Sequence, residues 1–233
     1  MMKILRYDKK EVNGCEINYL QIQISDIEEH ANELIKTITE SSWIEKLDDY
    51  SKINYQNKVK QTSLALVEIF RNPIVNNNLA ENFGEYVISL DAGKSLEEQL
   101  NHIIFPISEL WKEKVLGNHG FDFHTETPTK LLNFGEAKYR SSGNAYSAAA
   151  EQINRFIEPN IRKDQGDIND LHSLGASKES LDNLVNDIRA FTLAYSVNSK
   201  DQDKIEKNVF ENDEVKKLIE AKMPLFFIGV QIL

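Results

Sequence analysis

The chain has 233 residues, 41% hydrophobic and 27% charged, a composition that supports a packed core in one large domain or one and a half. A single cysteine, Cys15, excludes an internal disulfide framework and a cysteine-rich zinc site, and fits a reducing cytoplasm. The net charge of −10 argues against a protein that coats DNA, Met1 to Tyr7 is too short and polar for a signal peptide, and no run approaches the ~20 apolar residues of a membrane span.

Residues 16–24 read as a strand in which Leu20, Ile22 and Ile24 alternate. Ser25 and Glu28 have capping-box spacing, and Ile27, Ala31, Leu34, Ile35 and Ile38 make one helix face. Residues 1–55 are expected to form a strand-and-helix layer packed on the core, with Trp43 a packing residue. Residues 56–233 hold the main domain, in one globular unit overall. An apolar helix from about Lys58 to Arg71 ends at Asn72-Pro73, and Asn76 to Asn78 make a turn or cap. The next helix carries Leu79, Phe83, Tyr86, Val87 and Leu90, and Gly84 would let it lie close on a sheet. On that helix Glu85 stands beside Glu81, off the main apolar stripe, so a solvated glutamate and a ligand are equally good readings. Ser95 with Glu98 opens a further helix that runs to Trp111, kinked at Pro106. Gly117 to Gly120 turn the chain.

Residues 121–139 read as two antiparallel strands around a loop containing Pro128. In the first, Phe121 and Phe123 are expected to point one way, Asp122 and His124 the other. The second begins with Leu131, Leu132 and Phe134, which marks it as central, and ends in Glu136-Ala137-Lys138. A period of two puts Glu136 and Lys138 on one face, where Asp122 can meet them. Asp122, Glu136 and the Ala137 carbonyl offer three hard oxygens of the kind that Mg²⁺ or Mn²⁺ takes. Lys138 can orient or deprotonate a metal-bound water and steady charge on phosphate. This is an arrangement for metal-assisted phosphodiester hydrolysis, although an acid, a gap and Glu-x-Lys also arise on solvated strands. His119 and His124 flank the acid and read more readily as structural than as contacts to phosphate or metal.

From Pro128 to Lys163 there are six basic residues against three acids, a basic island in an acidic chain. Lys130, Arg140 and Arg155 within it are the candidate nucleic-acid contacts. A loop at 141–144 caps a helix with Tyr146, Ala149, Ala150, Ile153 and Phe156 inward; Gln152 lies on it and by itself reads as an exposed polar residue. Residues 165–176 are a polar connection, Leu181, Leu184, Val185 and Ile188 mark a helix, 189–197 a strand, 215–219 a short helix and 225–233 a buried strand.

Asp122 followed by Glu136-x-Lys138 resembles the signature of the PD-(D/E)xK nuclease superfamily, with Phe121 where the proline of the name would stand. The order helix, strand, strand, helix around Glu85, Asp122, Glu136, Lys138 and Gln152 is similar to the restriction-endonuclease-like core. That resemblance implies an α/β fold with a mixed central sheet flanked by helices on both faces. It implies Glu85 as a further metal-binding acid and Gln152 as a residue that orients Lys138 or a water. Within the superfamily, Gly120-Phe121-Asp122, Asn133 to Lys138 and the alanine-rich helix resemble the HamA nuclease subunits of the bacterial Hachiman anti-phage system, over roughly residues 80–160. This implies DNA as substrate, a helicase partner of the HamB kind, and cleavage licensed by that partner. Net acidity is compatible with a subunit that borrows its grip on DNA. A stand-alone restriction-type endonuclease and a non-catalytic subunit on a nuclease-like scaffold are the alternatives.

Overall fold

A computed structural model describes residues 2–75, 78–112, 120–143 and 145–233. His119, most of the turn before Gly120, Asn76, Asn77 and the Asn144 cap lie outside them. Strands β1 (Met2–Val12) and β2 (Cys15–Ile24) open the chain, followed by helices α1 (Ile27–Thr39), α2 (Ser42–Glu45) and α3 (Asp49–Arg71) and a minimal hairpin of β3 (Ile74–Val75) and β4 (Asn78–Leu79). Next come α4 (Glu81–Leu100), β5 (Ile103–Ile104), α5 (Ser108–Trp111), β6 (Phe123–Glu126) and β7 (Leu132–Lys138). Helices α6 (Ala145–Phe156), α7 (Lys163–Gly166), α8 (Ile168–Ser173) and α9 (Lys178–Val185) lead to β8 (Ala190–Ser196), and α10 (Gln202–Glu211) and α11 (Asp213–Glu220) to β9 (Leu225–Ile232).

The fold is α/β around a mixed sheet of seven strands in the order β1-β2-β9-β8-β7-β6-β5. Strands β2, β9, β8 and β7 run parallel; β1, β6 and β5 pair antiparallel with their neighbours. The parallel strands are apolar on both faces because both are covered. Leu20, Ile22, Ala194, Ile228 and Ala137 meet α1, α3 and α4 on one side. Tyr19, Phe134, Phe191, Leu193 and Phe227 meet α6, α9, α10 and α11 on the other. Residues of the first 55 contribute β1 and β2 to this same sheet. Among the described residues no helix is long and apolar enough to cross a membrane.

Local departures from the sequence reading have identifiable causes. The expected break between two helices at Ser95 is absent: α4 is continuous, and the Ser95 hydroxyl bonds back to the Ala92 carbonyl at 2.8 Å inside it. Asn101, in the left-handed conformation at φ 56°, ends that helix, so no helix passes through Pro106. Asp26 rather than Ser25 caps α1, accepting from the Glu29 N–H. Helix α3 starts nine residues before Lys58, at Asp49, because Asp48 caps it. Strand β1 lacks strong alternation, but Asn13 and Gly14, at φ 54° and 78°, form the tight hairpin turn that pairs it with β2.

Candidate active site

Strands β6 and β7 pair antiparallel as expected, with Phe123 opposite Gly135, but they part company there. Asp122 lies just outside β6 and does not continue its alternation. Phe121 therefore turns to the α6 side and Phe123 to the α4 side, correcting the expectation that they share a face. Among the described residues no strand pairs with β7 beyond Gly135 on its β6 side. Asp122 fills that edge: its Oδ2 accepts the Ala137 N–H at 2.8 Å, and its own N–H donates to the Gly135 carbonyl at 2.9 Å. In a strand the N–H and C=O of one residue point to the same edge, so the Ala137 carbonyl faces this notch as well.

Glu136 and Lys138 follow on β7. The Lys138 Nζ is 2.6 Å from Glu136 Oε1 and 3.8 Å from a carboxylate oxygen of Glu85, which α4 brings in from across the sheet edge. Gly84 permits that approach: a Cβ there would stand 2.4 Å from the Tyr139 ring. Four of the predicted residues, Glu85, Asp122, Glu136 and Lys138, thus converge with Ala137 at the C-terminal end of β7.

Glu136 is fully buried, while Asp122 and Glu85 are half-buried. Burial pushes Glu136 well above the ordinary glutamate range, the Asp122 charge adds to it, and Lys138 opposes it. Burial also raises Asp122 and Glu85, with Lys138 pulling both back and the backbone N–H groups of Ala137 and Tyr139 assisting. For Lys138 burial acts downwards, but Glu136 and Asp122 outweigh it and keep the ammonium protonated.

Glu136 Oε2 is buried and has no hydrogen-bond partner. An orphaned carboxylate oxygen beside a second carboxylate and a strand carbonyl fits a hard divalent cation. Among the described residues no three His, Cys, Asp or Glu side chains form a ready-made metal cage. Magnesium does not need one, since it binds through one or two carboxylates and keeps waters. Glu85, Asp122 and Glu109 of α5 line a small adjoining pocket of ≈ 70 Å³, with Tyr86 and Ser89 in its wall. Glu109 carried no signal in the sequence; only the end of α4 at Asn101 and the short α5 place it here.

Other predicted residues stand apart. The Gln152 side chain is half-buried on α6 and makes no hydrogen bond to Lys138 or the carboxylates. Lys130 lies in the loop joining β6 to β7, at the far end of the hairpin, paired with Glu126 at 2.8 Å. Arg140 is exposed two residues beyond Lys138, its backbone tied to Ser196. Arg155 is exposed over the Phe156 ring. His124 is structural: it is buried between Ser108 (3.2 Å) and Asp167 (3.0 Å), and burial lowers its pKa to about 4.

No protein-family model matches this chain, and no curated protein matches it.

Proposed function

We propose that this chain is a metal-dependent DNA nuclease with a PD-(D/E)xK-type, restriction-endonuclease-like core, acting in the cytoplasm as the nuclease subunit of an anti-phage complex and licensed by a helicase partner. The observation that carries the chemistry is the meeting of Asp122, Glu136 and Lys138 at the open edge of β7, with one Glu136 oxygen buried and unpaired.

Asp122, Glu136 and the Ala137 carbonyl would hold Mg²⁺ or Mn²⁺, with Glu85 and Glu109 on the pocket side. When bound, the ion supplies Lewis acidity and an acidified water for attack on phosphorus. Lys138 stays charged beside the carboxylates, which suits it to donate to a phosphate oxygen and steady the charge that grows there. The acidic cluster repels free DNA, so the substrate must be delivered with cations or by a partner. This supports a licensed subunit over a self-sufficient enzyme. Arg140, exposed two residues beyond Lys138, would meet the incoming backbone.

The test is plasmid DNA with Mg²⁺ and this protein, with and without a HamB-type helicase and ATP. Degradation only with helicase and ATP is the expected result. Discrete fragments from this protein alone would point to a stand-alone endonuclease. Intact plasmid in every arm would sink the catalytic reading.

A further inference from the structure

Resting on the proposed metal site, we infer that Lys112 is a positioning residue for Asp122, acting through a buried clamp built from three separate parts of the chain. The Lys112 ammonium donates to the Phe121 carbonyl at 3.0 Å, one peptide before Asp122, and to Asp167 Oδ2 at 2.7 Å. The same Asp167 oxygen accepts from His124 Nε2 at 3.0 Å, on the far side of Asp122 in the chain. His124 Nδ1 in turn meets the Ser108 hydroxyl at 3.2 Å, and the Ser108 backbone N–H donates to the Asp122 carbonyl at 3.0 Å.

Both peptide groups flanking Asp122 are therefore fixed from outside the hairpin. This matters because Asp122 lies just beyond the β6 ladder: apart from its bond to Gly135, no strand pairing defines its backbone. Without the clamp Asp122 would keep only its two bonds to β7, from its own N–H to the Gly135 carbonyl and from the Ala137 N–H to its carboxylate. Asp167, at the junction of α7 and α8, is 45 residues further along the chain and carries the clamp's charge. Gly120 completes the device, since a Cβ there would stand 2.5 Å from the Lys112 Nζ. Asp167 pairs with the Lys112 charge, and the ammonium's second bond, to the Phe121 carbonyl, falls on the peptide before Asp122. That bond would hold the direction of one carboxylate, as outer partners of metal ligands do.

The experiment is Mn²⁺ binding to the full chain, followed by electron paramagnetic resonance, for the wild type, Lys112→Met, Lys112→Arg and Gly120→Ala. Lys112→Met is expected to weaken Mn²⁺ binding by about ten- to a hundredfold while retaining the native circular dichroism. Lys112→Arg, which can still donate to both oxygens, should regain most of it. Gly120→Ala keeps the charge but crowds the ammonium aside, so it should weaken binding too; it also decides the matter if Lys112→Met fails to fold. Equal Mn²⁺ affinity in the wild type and either disrupting variant overturns the inference. A wild type that binds no Mn²⁺ removes the metal site itself and this proposal with it.

Discussion

Asp122 takes the place of a missing strand beside Ala137. Where β6 ends, its carboxylate receives the Ala137 N–H that a continuing ladder would have paired, at 2.8 Å. The sheet opens at that residue, and the Glu136-Ala137-Lys138 edge becomes a place where a ligand can approach backbone and side chain together.

Removing Glu136 or Lys138 should stop the proposed chemistry without unfolding the protein. Glu136→Ala and Lys138→Ala are expected to lower nuclease activity, measured with helicase and ATP present, by at least about a hundredfold. The Glu136→Ala melting temperature should stay at or above that of the wild type, while Lys138→Ala, which takes the counter-charge from Glu136 and Asp122, should melt lower yet remain folded. Cleavage at the wild-type rate in both variants would reject the assignment.

Glu136 should also weaken the fold that holds it. Its folded pKa lies above the unfolded value, so the folded chain binds this proton more tightly than the unfolded one. That contribution is complete at low pH and is lost as pH rises through the unfolded value of about 4.3 towards the folded one. Glu136→Gln should accordingly melt higher than the wild type at pH 7.5, by about 2–4 °C per kcal/mol recovered, with the gap closing towards pH 4. Thermal melts across that range decide it; a gap independent of pH would contradict the electrostatic cause.

His124 should act in the opposite sense. Its pKa falls from about 6.5 unfolded to about 4 folded, so its contribution is complete above 6.5 and is lost as pH drops between those values. His124→Gln keeps a neutral donor and acceptor. It should be less stable than the wild type at pH 7.5, and its deficit should shrink steadily from pH 6.5 to 4.5. A deficit that stays constant would mean the ring contributes packing alone.

Gly84→Ala should separate α4 from β7. The added methyl meets the Tyr139 ring at 2.4 Å, against a well-packed core, and overpacking of this kind costs about 1–3 kcal/mol. Urea unfolding should show that loss. Because Glu85 is the next residue, activity should fall as well, and Tyr139→Ala in the same chain should restore part of the stability. Unchanged unfolding would mean the helix yields freely.

Much of this was legible because burial imposes a period. Leu20, Ile22 and Ile24 announced β2, and the run Leu132 to Lys138 announced a central strand with two charged residues on one face. The triplet Asp122, Glu136 and Lys138 could be read because two of its members share a strand. Phe121 could not be placed, since alternation holds only within a ladder and the ladder begins at Phe123. Helix ends were also obscure: Ser95 has the chemistry of a cap, but the apolar contacts of Ala92 and Leu96 carry the helix through it. Glu109 and Asp167 were beyond reach, because their roles depend on where separate segments meet in space.

The open rim of β7 has one further consequence. Unpaired strand edges are templates on which a foreign chain can add, and proteins guard them with inward-pointing charge. Here the guard and the proposed metal-binding groups are the same side chains. A neighbouring molecule offering its carbonyls to this rim would meet the Asp122 and Glu85 carboxylates first, which have no donor to give them, so the groups proposed to grip a cation would also discourage copies of the protein from zipping together.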